Sequence, residues 1–432
     1  MPEIAPFRGI RYNAGVVGNM LDVVAPPYDV ISPEEQDAFY ARHPNNCIRV
    51  ILAKEQDGDS DASNRYTRAA AALREWLETG VLVEDETPAM YAYEQQFTWE
   101  GATYARRGIL TALRVAPFGE GDVLPHEFTK PGAKADRLAL MKATGANTSP
   151  IFGIFPDEAH DVAGAVEAVW DTEPAVDITD EQEVRHRLWV LTDADVLASV
   201  ADLMRDRPVY IADGHHRYET TCTYAAWAEE QGETTGDLHR YCIMMLVAMS
   251  DPGLAVMPTH RLLTGLGDLA PGDLVGALAD AFDVAEFEGK QCTPEAVERA
   301  LLERAADHAF GLVAEGGTRA WLLTLKDEAV LDGRPGGASA DWRRLDVAIL
   351  ADLIIEDTIR QRLGRDVEVG YDHKADTTWQ AVANGACQMA FLLNATPVER
   401  VKTIAAGGER MPAKSTFFYP KLLSGLVFRR LK

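Results

Sequence analysis

The sequence lacks the cysteine patterns of disulfide-rich and zinc-binding proteins. Its five cysteines are scattered and include no C-x-x-C pair. This spacing argues against a disulfide framework or a cysteine zinc site and favours a reducing compartment, so we expect a cytoplasmic protein. The five are Cys47, Cys222, Cys242, Cys292 and Cys387.

Long apolar runs are also missing. No stretch approaches 18 uninterrupted apolar residues, and the opening Met1-Pro2-Glu3-Ile4 is not a basic segment followed by an apolar run. Membrane-spanning helices and secretion signals need these features. We therefore expect neither a membrane span nor a secretion signal.

Positively charged residues are much fewer than negatively charged ones. The chain has 42 Lys and Arg against 67 Asp and Glu, a formal net charge of −25. Such a balance repels polyanions, so we do not expect a nucleic-acid partner. A small anion could still bind where a few cationic side chains and backbone N–H groups converge. The sequence does not indicate an oligomeric state.

The length and composition are typical of a globular protein with more than one domain. At 432 residues the chain is too long for one ordinary core, and 47% of it is hydrophobic. Strand-like and helix-like segments alternate irregularly, which predicts a mixed α/β (α+β) class. We expect an N-terminal α/β region with a hairpin over 1–118, a core over 119–262 and a C-terminal α/β region over 263–432.

Local signals predict individual elements. Ser32 before Pro33 is typical of a helix N-cap, and Ser63 is expected to cap a helix over 63–80. Alternating runs at 89–98 and 105–115, separated by Trp99-Glu100-Gly101, predict a hairpin. Further helices are predicted at 133–144, 158–170, 194–205 and 345–362, and strands at 151–155, 187–191, 208–212, 241–249 and 387–393.

The segment Asp213-Gly214-His215-His216-Arg217 is the strongest candidate for a functional site in the sequence. It follows an apolar strand-like run and precedes a pattern of helical periodicity. The first N–H groups of a helix lack intrahelical partners, and the helix dipole is positive there. Glycine lets the backbone approach a ligand, arginine offers paired donors to phosphate, and histidine can donate or move a proton. This loop therefore predicts a phosphate-binding site.

Two alternatives to phosphate binding stay open at this loop. It could be a solvated structural turn, or it could hold a metal, although adjacent histidines rarely point at one ion and no third ligand stands nearby. The phosphate hypothesis requires a helix that begins near His216 and an open hollow beside it. A turn packed shut against protein, or an Arg217 locked in an internal ion pair, would count against it.

The loop resembles that of the ParB/sulfiredoxin-like superfamily, whose strand–loop–helix element binds nucleotide phosphates. It is most similar to the free serine kinase variant, in which the loop reads D-G-H-H-R and an upstream P-H-E segment supplies an acidic catalytic residue. Pro125-His126-Glu127 stands in that order here, but Glu127 precedes Asp213 by 86 residues, farther than in those compact kinases. The resemblance implies a phosphate-loop core with large insertions.

A broader resemblance covers nearly the whole length. Several segments resemble the bacterial and archaeal family known as domain of unknown function 1015, a family that does not specify an activity. The segments are Ala25 to Ile31, Pro125 to Glu127, Asn147 to Phe152, Ile211 to Tyr218, Pro258 to Arg261 and Lys414 to Lys421.

The kinase-like resemblance implies a nucleotide-dependent phosphotransferase that uses ATP or ADP with Mg²⁺ on a small hydroxy metabolite such as free serine. Glu127 is the first choice for the general base, Asp213 is the second choice or the Mg²⁺ ligand, and His216 is a catalytic candidate. The candidates for phosphate or nucleotide binding are Gly214, His215, Arg217, Arg137 and Lys134. The candidates for substrate contact are His126, Asn147, Ser149, His260 and Arg261.

Other functions share the same loop. A protein that binds or senses a nucleotide or phosphometabolite without turnover would not need Glu127. A turn packed shut against protein, or an Arg217 locked in an internal ion pair, would count against both the kinase and the sensor hypotheses. A phosphatase would use water as acceptor. A nuclease or DNA-partition role is the least favoured, because of the acidic balance and the lack of a basic recognition helix.

Overall fold

The computed structural model describes residues 2–99, 101–232, 234–332 and 339–432. Two compact units make up the chain. The first comprises the residues up to Pro125, Thr129–Ala255 and Pro420–Lys432, and the second comprises His126–Phe128 and Val256–Tyr419. The three expected regions do not coincide with these units, since 1–118 and most of 119–262 lie together in the first. Glu100, in the expected hairpin turn, lies outside the described residues.

The strands of the described residues are numbered here in chain order. They are β1 (Ile4–Ala5), β2 (Gly9–Tyr12), β3 (Leu82–Glu84), β4 (Met90–Trp99), β5 (Ala102–Arg114), β6 (Val123–Leu124), β7 (Ala146–Asn147), β8 (Ile151–Phe155), β9 (Val176–Thr179), β10 (Arg185–Leu191), β11 (Val209–Asp213), β12 (Tyr241–Ala248), β13 (Ala255–Met257), β14 (His260–Thr264), β15 (Phe282–Phe287), β16 (Ala309–Ala314), β17 (Arg319–Leu325), β18 (Glu368–Asp372), β19 (Met389–Leu393), β20 (Phe417–Tyr419) and β21 (Phe428–Arg430).

The α-helices of the described residues are numbered in the same way. They are α1 (Ala14–Val17), α2 (Pro33–Arg42), α3 (Ile48–Ile51), α4 (Arg65–Glu78), α5 (Pro131–Thr144), α6 (Asp161–Ala165), α7 (Ala194–Met204), α8 (His215–Gln231), α9 (Pro271–Leu278), α10 (Pro294–Glu303), α11 (Ala340–Arg343), α12 (Asp346–Ile349), α13 (Ala375–Ala383) and α14 (Val398–Ala406). A π-helical segment, Leu350–Arg362, continues α12. Short 3₁₀ turns connect several of these elements.

The first unit is built around a nine-stranded sheet. Its order is β6-β11-β8-β12-β5-β4-β10-β9, with β1 paired to β5. Residues Tyr91–Trp99 of β4 pair antiparallel with Ala102–Leu110 of β5, which confirms the predicted hairpin. The central strands β8 and β12 are parallel, whereas β11 is antiparallel to β8. Strands in the middle of a sheet are covered on both faces, which is why β8 and β12 have long apolar runs.

Apolar side chains from this sheet form the main core of the first unit. Phe155, Trp189, Ile211 and Leu246 are buried there together with Tyr218 of α8. A four-stranded sheet, β3-β2-β21-β7, completes the unit and includes the last strand of the chain. The C-terminal segment is therefore part of the same unit as the Asp213–Arg217 loop.

The second unit contains a six-stranded sheet of order β15-β17-β16-β19-β14-β18. All its described pairings are antiparallel. Helices α10 and α13 contribute Val297, Leu301 and Trp379 to a core with strands β16 and β19. The two units together confirm the mixed α/β class.

Several local predictions need correction. Asn64, not Ser63, caps α4, because its side chain accepts N–H groups from Tyr66 and Thr67. The helix expected over 158–170 is α6 followed by a 3₁₀ turn, Glu167–Asp171. The long helix predicted over 345–362 is largely π-helical. The predicted N-cap Ser32 is confirmed, with a full capping box to Glu35.

Across the described residues, no helix combines the length and the apolar character needed to cross a membrane.

Candidate functional site

The loop after β11 turns sharply into α8. Gly214 is the N-cap residue and has φ of 96°, in the left-handed region that glycine adopts without strain. A β-carbon at this position would lie 3.0 Å from three atoms of the Arg217 guanidinium. Glycine therefore adopts this backbone angle without strain, and a larger residue would require the Arg217 guanidinium to shift. The helix begins at His215, one residue before the predicted start.

No side chain caps the beginning of α8. The first intrahelical bond there runs from the Tyr218 N–H to the Gly214 carbonyl. Gly214, which has no side chain, caps none of the first-turn amides, and the positive end of the helix dipole lies at the same place. This arrangement agrees with an anion site but does not by itself identify one.

The sequence predicted that the guanidinium of Arg217 would be available to bind phosphate, but it already has protein partners. Its Nη2 donates to Oδ2 of Asp213 at 2.5 Å, and its Nη1 donates to the Pro150 carbonyl. Only 8% of the residue is exposed. A guanidinium has five N–H donors, so this pairing leaves some of them uncommitted. Arg217 is nevertheless held in an internal ion pair with Asp213, which counts against the phosphate hypothesis.

Asp213 is surrounded by positive charge. Its second oxygen, Oδ1, lies 2.8 Å from Nζ of Lys421. Burial acts to raise the pKa of Asp213, but Lys421 and Arg217 together hold that pKa well below its ordinary value. The carboxylate is therefore ionised and already neutralised. This arrangement does not support its predicted role as a Mg²⁺ ligand or a base.

His216 connects the N-terminal ends of two helices. Its Nε2 accepts the backbone N–H of Lys130, the N-cap residue of α5, at 2.8 Å. Burial lowers the pKa of His216, outweighing the nearby carboxylate of Asp29. A neutral ring that accepts at Nε2 carries its proton on Nδ1. The side chain is therefore positioned as a hydrogen-bond donor and not as a base.

Helix α5 brings further cations next to α8. Lys134 Nζ lies 2.6 Å from Glu219 of α8, which also accepts the Thr129 hydroxyl. Arg137 donates to Asp136 and to the Ile51 carbonyl, and its guanidinium stacks 3.9 Å from the centre of the Tyr28 ring. Both predicted cations thus lie beside the loop.

The cavity next to the loop is small. It holds about 30 Å³, room for water and not for a nucleotide. It is lined by residues from four distant segments, including Tyr28, Arg137, Asn147, Ser149 and Arg217. The predicted open hollow is therefore not present in this part of the first unit. A phosphate would have to bind on the outer side of the loop or displace these contacts.

Asn147 and Ser149, two predicted substrate contacts, already have protein partners. The Asn147 side-chain oxygen accepts the Ile243 N–H at 3.2 Å. The Ser149 hydroxyl is 2.7 Å from the Ser424 hydroxyl. Both residues are buried. His215 is buried as well, and it is close enough to Asp213 to help lower the pKa of that carboxylate.

The remaining predicted residues lie in the second unit. His126 is buried and is hydrogen-bonded to the Thr416 hydroxyl at 2.9 Å. Glu127 follows it and is close enough to Arg261 to raise the pKa of that guanidinium, although burial has the larger effect and lowers the pKa to about 10. The structure therefore brings His126, Glu127 and Arg261 into one unit, separate from the unit that holds the loop.

His260 and Arg261 are the first two residues of strand β14, which follows β13 after Pro258 and Thr259. Arg261 donates to the carbonyls of Thr259 and Lys414 and stacks over Tyr371. His260 is 1% exposed, and its Nε2 has no hydrogen-bond partner among the described residues. Burial lowers the pKa of His260 to about 4, so the ring is neutral at pH 7.

Metal binding finds little support in the described residues. No group of three or more His, Cys, Asp or Glu side chains there is arranged to hold a metal ion. Mg²⁺ often binds through one or two carboxylates plus the phosphates of a substrate. The predicted Mg²⁺ therefore stays a prediction that depends on a bound nucleotide.

Sequence reasoning missed two members of the loop cluster. Lys421, within the Lys414–Lys421 segment, had no assigned role and lies 2.8 Å from Asp213. Tyr28, within the Ala25–Ile31 segment, had no assigned role and lies against Arg137. The only available signal was that both residues stand in segments that resemble the family.

The fold and the site define a mixed α/β protein with an uncapped helix start over an Asp–Arg–Lys cluster. Residues 4–348 match the family described as "Protein of unknown function (DUF1015)". The chain belongs to this family.

Solved structures give a distant likeness. A free serine kinase in complex with AMP is 15% identical with a TM-score of 0.33, and the match covers 69% of this chain and 83% of that one. A conserved hypothetical protein from Pyrococcus furiosus is 15% identical at a TM-score of 0.32, covering 69% and 87%. C-terminally truncated SbnI from Staphylococcus aureus is 10% identical at 0.32, covering 70% and 82%. None of the curated proteins compared matches the chain.

Proposed function

We propose that the protein binds the phosphate groups of ATP or ADP at the Asp213–Arg217 loop and transfers a phosphoryl group to a small hydroxy metabolite such as free serine. The observation that supports this most is the junction of two helix starts at His216. Neither Gly214 nor Lys130, the two N-cap residues, provides a side-chain cap. Two positive helix ends therefore lie next to one another, and phosphate oxygens are the ligands that such ends favour.

Cationic side chains add to these helix ends. Lys134, Arg217 and Lys421 lie within the cluster, while Glu219 and Asp213 are their carboxylate partners. Phosphate carries more negative charge than one carboxylate and accepts charge-assisted bonds from several donors at once. A bound phosphate would compete with Asp213 and Glu219 for these cations. In this proposal Gly214 and His215 allow the approach of the phosphate to the loop, and His216 donates from Nδ1.

Glu127 is the proposed general base. It would accept the proton of the acceptor hydroxyl while that oxygen attacks phosphorus and the bond to the leaving nucleotide breaks. Asp213 is less suited to this role because its two oxygens already face Lys421 and Arg217. His126, His260 and Arg261 belong to the unit of Glu127 and are proposed to organise the acceptor side. Asn147 and Ser149 are less suited to substrate contact, because they are already hydrogen-bonded to Ile243 and Ser424.

Binding and transfer are tested separately. Thermal unfolding with ATP or ADP plus MgCl₂ should raise Tm, with a stabilisation of about 2.7 kcal/mol when the nucleotide is at 100 times its Kd. Sodium sulfate at equal ionic strength is the control for a general anion effect. An unchanged Tm at millimolar nucleotide would contradict the proposal.

Transfer is followed by ³¹P NMR with serine, threonine and glycerol as acceptors. Glu127→Gln should keep the nucleotide-dependent Tm shift and lose transfer by at least about 100-fold, the usual contribution of a general base. Glu120→Gln, at an exposed position, is the matched control and should transfer normally. EDTA should abolish transfer if Mg²⁺ takes part. Equal rates for Glu127→Gln and wild type would exclude Glu127 as the base.

A non-catalytic binding or sensing role is the second candidate. The observation that favours it is that Asp213, the one carboxylate of the loop itself, is neutralised by two cations. A sensor would show the Tm shift without phosphate transfer, and Glu127→Gln would behave like wild type in every assay. A phosphatase would instead release inorganic phosphate when no acceptor alcohol is present.

A further inference from the structure

A second and much larger cavity lies elsewhere in the first unit. It holds about 350 Å³, within the range of small-molecule sites, and most of its lining is apolar. Phe155 and Ala248, the last residues of the parallel strands β8 and β12, form one side. Val162 and Ala163 of α6 and the ring of Trp170 form another.

This cavity is distinct from the loop site. Strand β11 is antiparallel to β8, and its last residue, Asp213, pairs with Phe152 near the start of β8. Phe155 ends β8 and pairs with Ala248 at the end of β12. The loop and the cavity therefore lie at opposite ends of the same strands. Ligands commonly bind beyond the carboxyl ends of parallel strands, which is where this cavity is located.

Asp251 provides the main polar group of the cavity. Its carboxylate accepts the backbone N–H of Gly253 at 2.8 Å and that of Arg107 at 3.3 Å. Across the part of the chain that the structure describes, no cationic side chain forms an ion pair with it. Burial raises the pKa of Asp251 to about 6, against the opposing effects of these N–H groups and of Arg106 and Arg107. The group is therefore a desolvated carboxylate without a counter-ion.

The one guanidinium in the wall is already neutralised. Arg107 Nε donates to the buried carboxylate of Glu94 at 2.8 Å, and Nη1 lies 3.8 Å from Glu167. The same guanidinium lies 5.0 Å from the centre of the Trp170 ring. An anionic ligand would have to compete with Glu94 for Arg107, whereas a cation could reach Asp251 without breaking any ion pair among the described residues. The polar residues in the wall are Thr103, Tyr104, Arg107, His160, Glu167, Ser250 and Asp251.

We propose that this cavity binds a small molecule in which an apolar, ring-sized body carries a protonated amine, with the amine pairing to Asp251 and the body packing against Phe155, Val162 and Trp170. The apolar lining stabilises the body by removing it from water. An ammonium supplies the charge and the donors that the carboxylate lacks. The site does not depend on the proposed nucleotide function.

Three probes of similar size distinguish the cationic group from the apolar body. Binding of phenethylamine, 2-phenylethanol and 3-phenylpropionate to the full chain is measured by ligand-observed NMR at pH 7.5, where Asp251 is ionised. Phenethylamine should bind about tenfold more tightly than the alcohol, a difference of about 1.4 kcal/mol. The carboxylate should bind most weakly. Saturating ATP should leave all three affinities unchanged.

Two variants locate the binding. Asp251→Asn should lower the affinity for phenethylamine about tenfold and leave that for the alcohol unchanged. Asp206→Asn, at an exposed position, is the matched control. Ala163→Phe keeps Asp251 but fills the cavity, so it should abolish binding of all three probes and remains informative if Asp251→Asn does not fold. Equal affinities, a preference for the carboxylate, or no binding at millimolar probe would each overturn the proposal.

Discussion

Oδ1 of Asp213 lies 2.8 Å from Nζ of Lys421, a residue 208 positions further along the chain. The other oxygen of the same carboxylate holds Arg217. One carboxylate therefore joins the start of α8 to the C-terminal segment of the first unit. Since both cations are neutralised by this carboxylate, removing it should lower the free energy of unfolding more than removing either cation.

Lys421→Met should destabilise the first unit by about 2 kcal/mol, because a largely buried charge pair loses one partner. Asp213→Asn should cost more, since it leaves Lys421 and Arg217 facing each other without a counter-charge. The double variant should lose less than the sum of the two, with a coupling of about 1–3 kcal/mol. Urea unfolding followed by tryptophan fluorescence measures all three. Additive effects would show that the pair contributes nothing.

Gly214→Ala should destabilise the chain by more than the cost of a positive φ alone. The strain at φ of 96° is about 1 kcal/mol, and the added β-carbon also meets the Arg217 guanidinium at 3.0 Å. Gly232→Ala is the matched control, because Gly232 ends the same helix at φ of 68° with nothing within 4 Å. A larger loss of Tm and of nucleotide affinity in Gly214→Ala is expected. Equal losses would show that the guanidinium simply moves aside.

His216→Phe should lower both stability and nucleotide affinity. It removes the acceptor for the solvent-exposed Lys130 N–H, at a cost of about 0.5–1 kcal/mol, and it removes the Nδ1 donor proposed to face phosphate. His216→Gln offers an acceptor oxygen for the same amide. We expect Gln to restore most of the stability and little of the affinity, as measured by thermal unfolding and calorimetric titration. If Gln restores neither, the ring itself is required for packing.

His260 should make stability depend on pH. Burial lowers its pKa from 6.5 to about 4 in the folded chain, so the unfolded chain binds more protons between these values. The free energy of unfolding therefore falls as pH decreases through this window, by on the order of 3 kcal/mol.

To test this, the free energy of unfolding is measured at pH 7.5 and at pH 4.5. His260→Gln should show a smaller loss of stability on acidification than wild type. His160→Asn, which replaces an exposed histidine in a left-handed conformation, is the control and should keep the wild-type pH dependence. An unchanged pH dependence in His260→Gln would mean that other groups control it.

Several of the longer regular elements were predictable from local pattern. The hairpin of β4 and β5, the strand Ile151–Phe155 and the strand before the loop were expected within one to three residues, because alternation and apolar runs are local properties. The π-helical geometry of Leu350–Arg362 was not, since the apolar spacing of an α-helix and of a π-helix is similar over a few turns.

The candidate site was only partly predictable. The loop, its glycine and the helix that follows it could be expected from five consecutive residues. The ion pair between Arg217 and Asp213 was within reach, because residues four apart on a helix start are neighbours. The contact with Lys421 and the stacking of Arg137 on Tyr28 depend on segments that are far apart in sequence.

The sequence by itself determined the mixed α/β class, the positions of the strands and helices with the clearest local pattern, and the existence of a glycine-bearing helix start with histidine and arginine beside it. These follow from turn chemistry and periodicity, which act over a few residues. Only the tertiary structure decided that Arg217 and Lys421 converge on Asp213 and that His216 joins α5 to α8. It also decided that an apolar cavity with Asp251 in its wall lies at the far end of the sheet. Long-range packing brings such groups together, and no local pattern specifies which distant side chain will supply the counter-charge.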